Sequence, residues 1–132
     1  MTKLDVEKLT NYWKHEAEYS DEIRQILFDK KKFPESLFFG HLALEKILKA
    51  LYVQGFKTHA PLIHDLVKLS KAVGTNFTGE EVAEIDAISR FNIAGRYDQE
   101  KQSFRKICTP SYAKHFHERI NYYYLCLKKL LK

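Results

Sequence analysis

Apolar side chains recur every three or four residues along most of the chain, a spacing that predicts helices and leaves no segment with strand-like alternation. Leu9, Trp13, Ala17, Ser20, Ile23 and Leu27 trace one stripe over a first helix from about residue 5 to residue 28, and Tyr12, Tyr19 and Ile26 widen it. Thr2-Lys3-Leu4-Asp5 reads as a capping box with Asp in place of the usual Glu. The helix stops before Lys30-Lys31-Lys32-Phe33-Pro34, because proline holds the residue before it in extended geometry. Pro34 suits the first turn of a second helix, expected to run to about residue 54 and to end at Gly55. That helix is apolar around most of its circumference, through Leu37, Phe38, Leu44, Ile47, Leu48 and Leu51 among others, so it belongs in the middle of a bundle.

A short third helix is expected from about residue 64 to residue 73, introduced by Pro61 and ended by Gly74. Thr78-Gly79-Glu80-Glu81 forms a capping box for a fourth, with Val82, Ile85 and Ile88 at helical spacing. The pattern breaks over Phe91-Asn92-Ile93-Ala94-Gly95-Arg96-Tyr97-Asp98. Thr109-Pro110 opens a last helix that carries Ala113, Phe116, Ile120, Tyr123, Leu127 and Leu130. With no repeat and no internal linker, residues 1–132 are expected to form one all-α domain, an up-and-down bundle of four to five helices.

Composition narrows the function classes. The longest apolar stretch carries His41, Glu45, Lys46 and Lys49, a density of charge that argues against a membrane span. The first residues are polar and mixed in charge, without the character of a secretory signal. Cys108 and Cys126 stand alone outside any CxxC pattern, as reduced thiols do, so the expected compartment is the cytoplasm. The net charge of +5 points toward a polyanionic partner, although solubility alone explains such an excess.

Two groups of residues are candidates for a site. His41, Glu45 and Lys49 lie at i, i+4 and i+8 on the second helix and form a polar ladder along one side. The ladder is either a charged site in a groove, where the carboxylate orients a water or a ribose hydroxyl, or a polar seam that fixes helix register. Arg96, Tyr97 and Asp98 sit in the break between helices. Arg96 could hold a phosphate bidentately while Tyr97 stacks on a base; otherwise Arg96 pins the loop and Tyr97 packs inward. Nothing predicts a metal or cofactor. His115 and His117 are two apart on a helix and point to different sides, and Gly55, Gly74 and Gly79 punctuate helices instead of cradling phosphate. Three consecutive residues cover most of a helix circumference, so Tyr122-Tyr123-Tyr124 should place at least one ring inside and one outside.

Four passages together resemble the HEPN family, helical bundles named for nucleotide binding in higher eukaryotes and prokaryotes. They are Tyr12-Trp13 with Ala17 and Glu18; the run from Leu37 through Gly40-His41 to Leu51; His64-Asp65-Leu66; and Phe91 to Asp98 with its Arg96-Tyr97. The resemblance spans nearly the whole chain. It implies a bundle that commonly forms a homodimer and often accompanies a minimal nucleotidyltransferase, sometimes as an RNA-cleaving toxin or defence nuclease. Those nucleases carry an Arg followed, after four to six intervening residues, by a His. None of the five arginines here, Arg24, Arg90, Arg96, Arg105 and Arg119, has a His at that distance. The expectation is therefore a non-catalytic module associated with nucleotides or RNA, of toxin–antitoxin or defence type. The alternatives are a ribonuclease with a non-standard site around Arg96 and Tyr97, and a purely structural protein-interaction domain.

Overall fold

The computed structural model describes residues 4–94 and 98–132. Its helices are α1 (Val6–Asp29), α2 (Phe33–Phe56), α3 (Leu66–Val73), α4 (Gly79–Ser89), α5 (Phe91–Ala94), α6 (Asp98–Ile107) and α7 (Pro110–Lys128), and no strand occurs among the described residues. The short link between α1 and α2 folds them into an antiparallel pair that packs along its length. α2 touches every other helix, the position that its nearly all-round apolar surface requires.

The ends of the helices follow from local chemistry, with three departures from the sequence pattern. Asp5 itself caps α1, its carboxylate accepting from the Lys8 amide at 3.0 Å, so it is the N-cap and not the last residue of a box. α2 runs through Gly55; the left-handed step that ends it falls on Lys57 (φ 56°), whose amide bonds the Val53 carbonyl. α3 starts two residues later than expected because Asp65 takes the cap, accepting from the amides of Val67 and Lys68. The Thr78–Glu81 box, the Gly74 stop (φ 78°) and the Thr109 cap are as the sequence indicates.

The helix count exceeds four to five because of α5 and α6. α6 carries the sequence DQEKQSFRKI and buries only Phe104, too little for an apolar period to register. One face of α1 also differs: Tyr12, Tyr19 and Ile26, spaced by seven, are exposed and do not widen the core stripe. Tyr123 and Tyr124 are buried and Tyr122 is exposed.

The tightest helix crossing is at Gly40. A Cβ there would lie 2.6 Å from Ile120 Cδ1, 3.0 Å from Arg24 Cδ and 3.1 Å from Ile120 Cγ2. Both neighbours are fully buried and cannot swing away, so Gly40→Ala is expected to destabilise the fold by about 1–3 kcal/mol through overpacking. A urea midpoint matching the parent would show that the crossing relaxes freely.

Candidate functional site

The polar ladder is a buried cluster closed by a residue from outside α2. His41, Glu45 and Lys49 are all buried on the side of α2 that faces the segment before α3. Lys49 Nζ donates to Glu45 Oε2 at 3.2 Å, and His41 Nε2 lies 3.7 Å from Glu45 Oε1. His64 enters from the loop, its Nδ1 sitting 3.2 Å from each Glu45 oxygen, while its carbonyl lies 3.4 Å from His41 Nε2. Trp13 of α1 covers the Lys49 ammonium at 5.3 Å from the ring centre. A single carboxylate thus gathers an ammonium and two imidazoles, which satisfies charge inside the bundle.

His64 carries this cluster to the surface. Its side chain is 55% exposed, against 8% for Glu45. The carboxylate fixes Nδ1 as the protonated nitrogen, so in the neutral ring Nε2 carries the lone pair. The imidazole lines an open groove of about 310 Å³ together with Asp65, Asp86, Ser89, Arg90 and Asn92. Several of these groups are already engaged. Asp65 caps α3, Ser89 Oγ accepts from the Leu66 amide at 3.0 Å, and Asp86 takes Arg90 Nη2 at 3.0 Å. His64 Nε2 makes no hydrogen bond to a described residue, and Arg90 keeps guanidinium N–H groups beyond the one given to Asp86. The groove can therefore accept a small polar ligand through an imidazole and a guanidinium.

Of the second sequence-derived group, Asp98 opens α6 and is exposed, where a carboxylate favours the helix N-terminus. Arg96 and Tyr97 lie outside the described residues. In chain order they follow α5, whose Asn92 lines the groove at His64.

Two further charged clusters join positions far apart in sequence. Arg24 is fully buried and donates to Asp21 Oδ1 at 2.8 Å through Nε, to His117 Nδ1 at 2.9 Å and to Asn121 Oδ1 at 3.3 Å. Phe28 stacks on His117 at 3.8 Å with rings 10° apart. Burial, then the Arg24 charge, lowers the His117 pKa below the usual imidazole value, which favours a neutral ring whose Nδ1 accepts the hydrogen bond from Arg24. On another side of α7, Glu84 accepts from Arg119 Nε at 2.6 Å and from the Tyr123 hydroxyl at 2.5 Å, with His115 Nε2 at 3.7 Å. Burial pushes the Glu84 carboxyl up, but these bonds outweigh it and hold it below its ordinary value. His115 and His117 thus serve different clusters. No group of three His, Cys, Asp or Glu among the described residues is placed to hold a metal ion. Cys108 is buried, and burial together with the nearby Glu35 charge pushes its thiol up to about 12, the opposite of an activated nucleophile.

The sequence held a signal for His64, in the His64-Asp65-Leu66 passage, but not for its link to Glu45. The Arg24–His117 pairing had none, since 93 positions separate the partners. No described helix is long and apolar enough to cross a membrane. No match was found among curated proteins or among solved structures. The model of one family, described as the HEPN domain, matches residues 10–130, and these include the ladder, His64, the Arg96-Tyr97 passage and both of the further charged clusters. The chain belongs to the HEPN domain family, a class of helical modules associated in general with nucleotides or RNA.

Proposed function

We propose that this HEPN domain is a non-catalytic module that binds a nucleotide or RNA and works in the cytoplasm as a homodimer beside a minimal nucleotidyltransferase, in a toxin–antitoxin or defence system. The observation that carries the reading is His64, held half-exposed by a buried carboxylate at the edge of a groove that also presents Arg90. An oriented imidazole and a guanidinium suit the hydroxyl and phosphate groups of a nucleotide. Arg96, Tyr97 and Asp98 are also assigned to nucleotide contact in this reading, on the chemistry of their side chains.

Two features support the non-catalytic part. The Arg-to-His spacing of the family's nucleases is missing from the sequence. Among the described residues, the arginine and histidine that hydrogen-bond directly are Arg24 and His117, where the guanidinium is 0% exposed and its donors are spent on Asp21, His117 and Asn121. Support for the dimer comes from exposed apolar side chains, among them Tyr12, Tyr19 and Ile26 on one face of α1. Light scattering at micromolar concentration should give twice the chain mass; a clean monomer mass removes the dimer from the proposal.

Arg96 is the sharpest test of the contact surface. Arg96→Ala should weaken nucleotide or RNA binding by about 1.5–3 kcal/mol, the worth of a charge-assisted hydrogen bond, while the melting temperature stays near the parent's. Lys129→Ala serves as the control for general positive charge and should cost less. A variant that melts much earlier and binds normally would assign Arg96 to holding the loop and withdraw it from the site.

A further inference from the structure

A second concavity shares no lining residue with the groove at His64. It measures about 240 Å³ and lies between the start of α2 and helices α5 and α6. Its walls include Phe38, Phe39, Phe91 and Phe104, and Lys101 and Arg105 complete the lining on the α6 side. Phe91 and Phe104 are buried and set 5.1 Å apart with rings tilted by 39°, so that wall is fixed by the core. Phe38 and Phe39 meet edge to face at 5.8 Å on the opposite helix. An apolar cavity of roughly 150 Å³ stays dry and takes benzene. The larger space here holds one six-membered ring with a short arm.

The charges decide what the arm carries. Lys101 and Arg105 are four apart on α6 and therefore share one face. Both are exposed, and Lys101 makes no ion pair with a described residue. Glu35, from the first turn of α2, faces Arg105 at 3.6 Å, a distance of charge contact without a hydrogen bond. Two cations against one carboxylate leave a single positive charge beside an aromatic box, and that balance matches a monoanion better than a dianion.

We infer that the cavity walled by Phe38, Phe39, Phe91 and Phe104 binds a small aromatic monocarboxylate, its ring among the phenylalanines and its carboxylate on Lys101 and Arg105. The inference is independent of the nucleotide reading, because neither His64 nor Arg90 takes part. Binding needs no rearrangement of the core. It would displace Glu35 only from its loose contact with Arg105.

The test uses the full chain and two probes of one shape, phenylacetate and its uncharged counterpart phenylacetamide, titrated by calorimetry with backbone amide shifts recorded in parallel. Phenylacetate should saturate in the millimolar range or below, with shifts centred on residues 38–39 and 101–105, and should bind about tenfold tighter than the amide, as one charge-assisted hydrogen bond implies. The exposed double change Lys101→Ala/Arg105→Ala should keep the weak amide binding and erase the tenfold preference. No saturable phenylacetate binding, equal affinity for acid and amide, or a preference that survives the double change would each overturn the inference. Adenosine monophosphate is the third probe: tighter binding than phenylacetate with shifts on the same residues would overturn the monocarboxylate assignment, whereas shifts at 64 and 90 would leave it standing and support the separate nucleotide site.

Discussion

Arg24→Ala is expected to lower the stability of the domain by about 3–5 kcal/mol, because it removes a fully buried cation and strands the buried carboxylate of Asp21. Among the described residues Asp21 pairs with no other cation than this one, which reaches it at 2.6 Å, and it keeps the amide of Gln25 at 2.9 Å. Nδ1 of the half-buried His117 also loses its donor, whereas the exposed Asn121 can turn to water. The side-chain stem also fills the crossing under Gly40, so a cavity adds to the electrostatic loss. Domains of this size hold roughly 5–15 kcal/mol in total, so the variant should melt far earlier and sit near unfolding. Arg24→Lys keeps the charge and the stem but not the fork that serves three acceptors, and should fall between the two. Urea denaturation of the three proteins decides the matter. A parent-like midpoint for Arg24→Ala would mean that the cluster contributes nothing.

The second large effect is at Glu45. Glu45→Ala is expected to cost about 3–5 kcal/mol, since it leaves the Lys49 ammonium buried without its counter-charge. Lys49 has a side chain only 6% exposed, and among the described residues its carboxylate partner is Glu45 at 3.2 Å. The companion change is diagnostic. Replacing both partners, as Glu45→Gln with Lys49→Met, should recover much of the loss, because a neutral pair of similar volume leaves no unpaired charge in the bundle. His64→Ala should cost far less than either, as its ring is half in water. If the double variant is as unstable as Glu45→Ala, the ladder acts through packing and not through charge.

These two clusters show why the fold was legible in the sequence and the site only partly so. Helices report themselves through spacing within one segment, so α1, α2, α3, α4 and α7 were visible from their stripes and caps. α6 was not, because a helix that buries one phenylalanine leaves no period to read. The ladder at His41, Glu45 and Lys49 was visible for the same reason as the helix that bears it. Its outlet was not: His64 meets Glu45 across 19 positions and a loop, and only the packed chain brings them together. Arg24 and His117 carry the same lesson over a longer span. The aromatic cavity near Lys101 likewise depends on how α5 and α6 return to the start of α2. Long-range pairings of this kind are set by tertiary packing, which local pattern does not encode.

The central claim, that the domain holds RNA or nucleotide without cutting it, is tested most directly by following affinity and integrity in one sample. A labelled single-stranded RNA is titrated with the pure protein across a range of salt, and the RNA is sized at the end of each titration. Binding should weaken steeply with salt, as phosphate contacts require, fall further in Arg96→Ala, and leave full-length RNA throughout. Cleavage products that disappear in Arg96→Ala would place the protein among enzymes, and the absence of any salt-dependent binding to RNA or nucleotide would leave it a structural domain; either result contradicts the account.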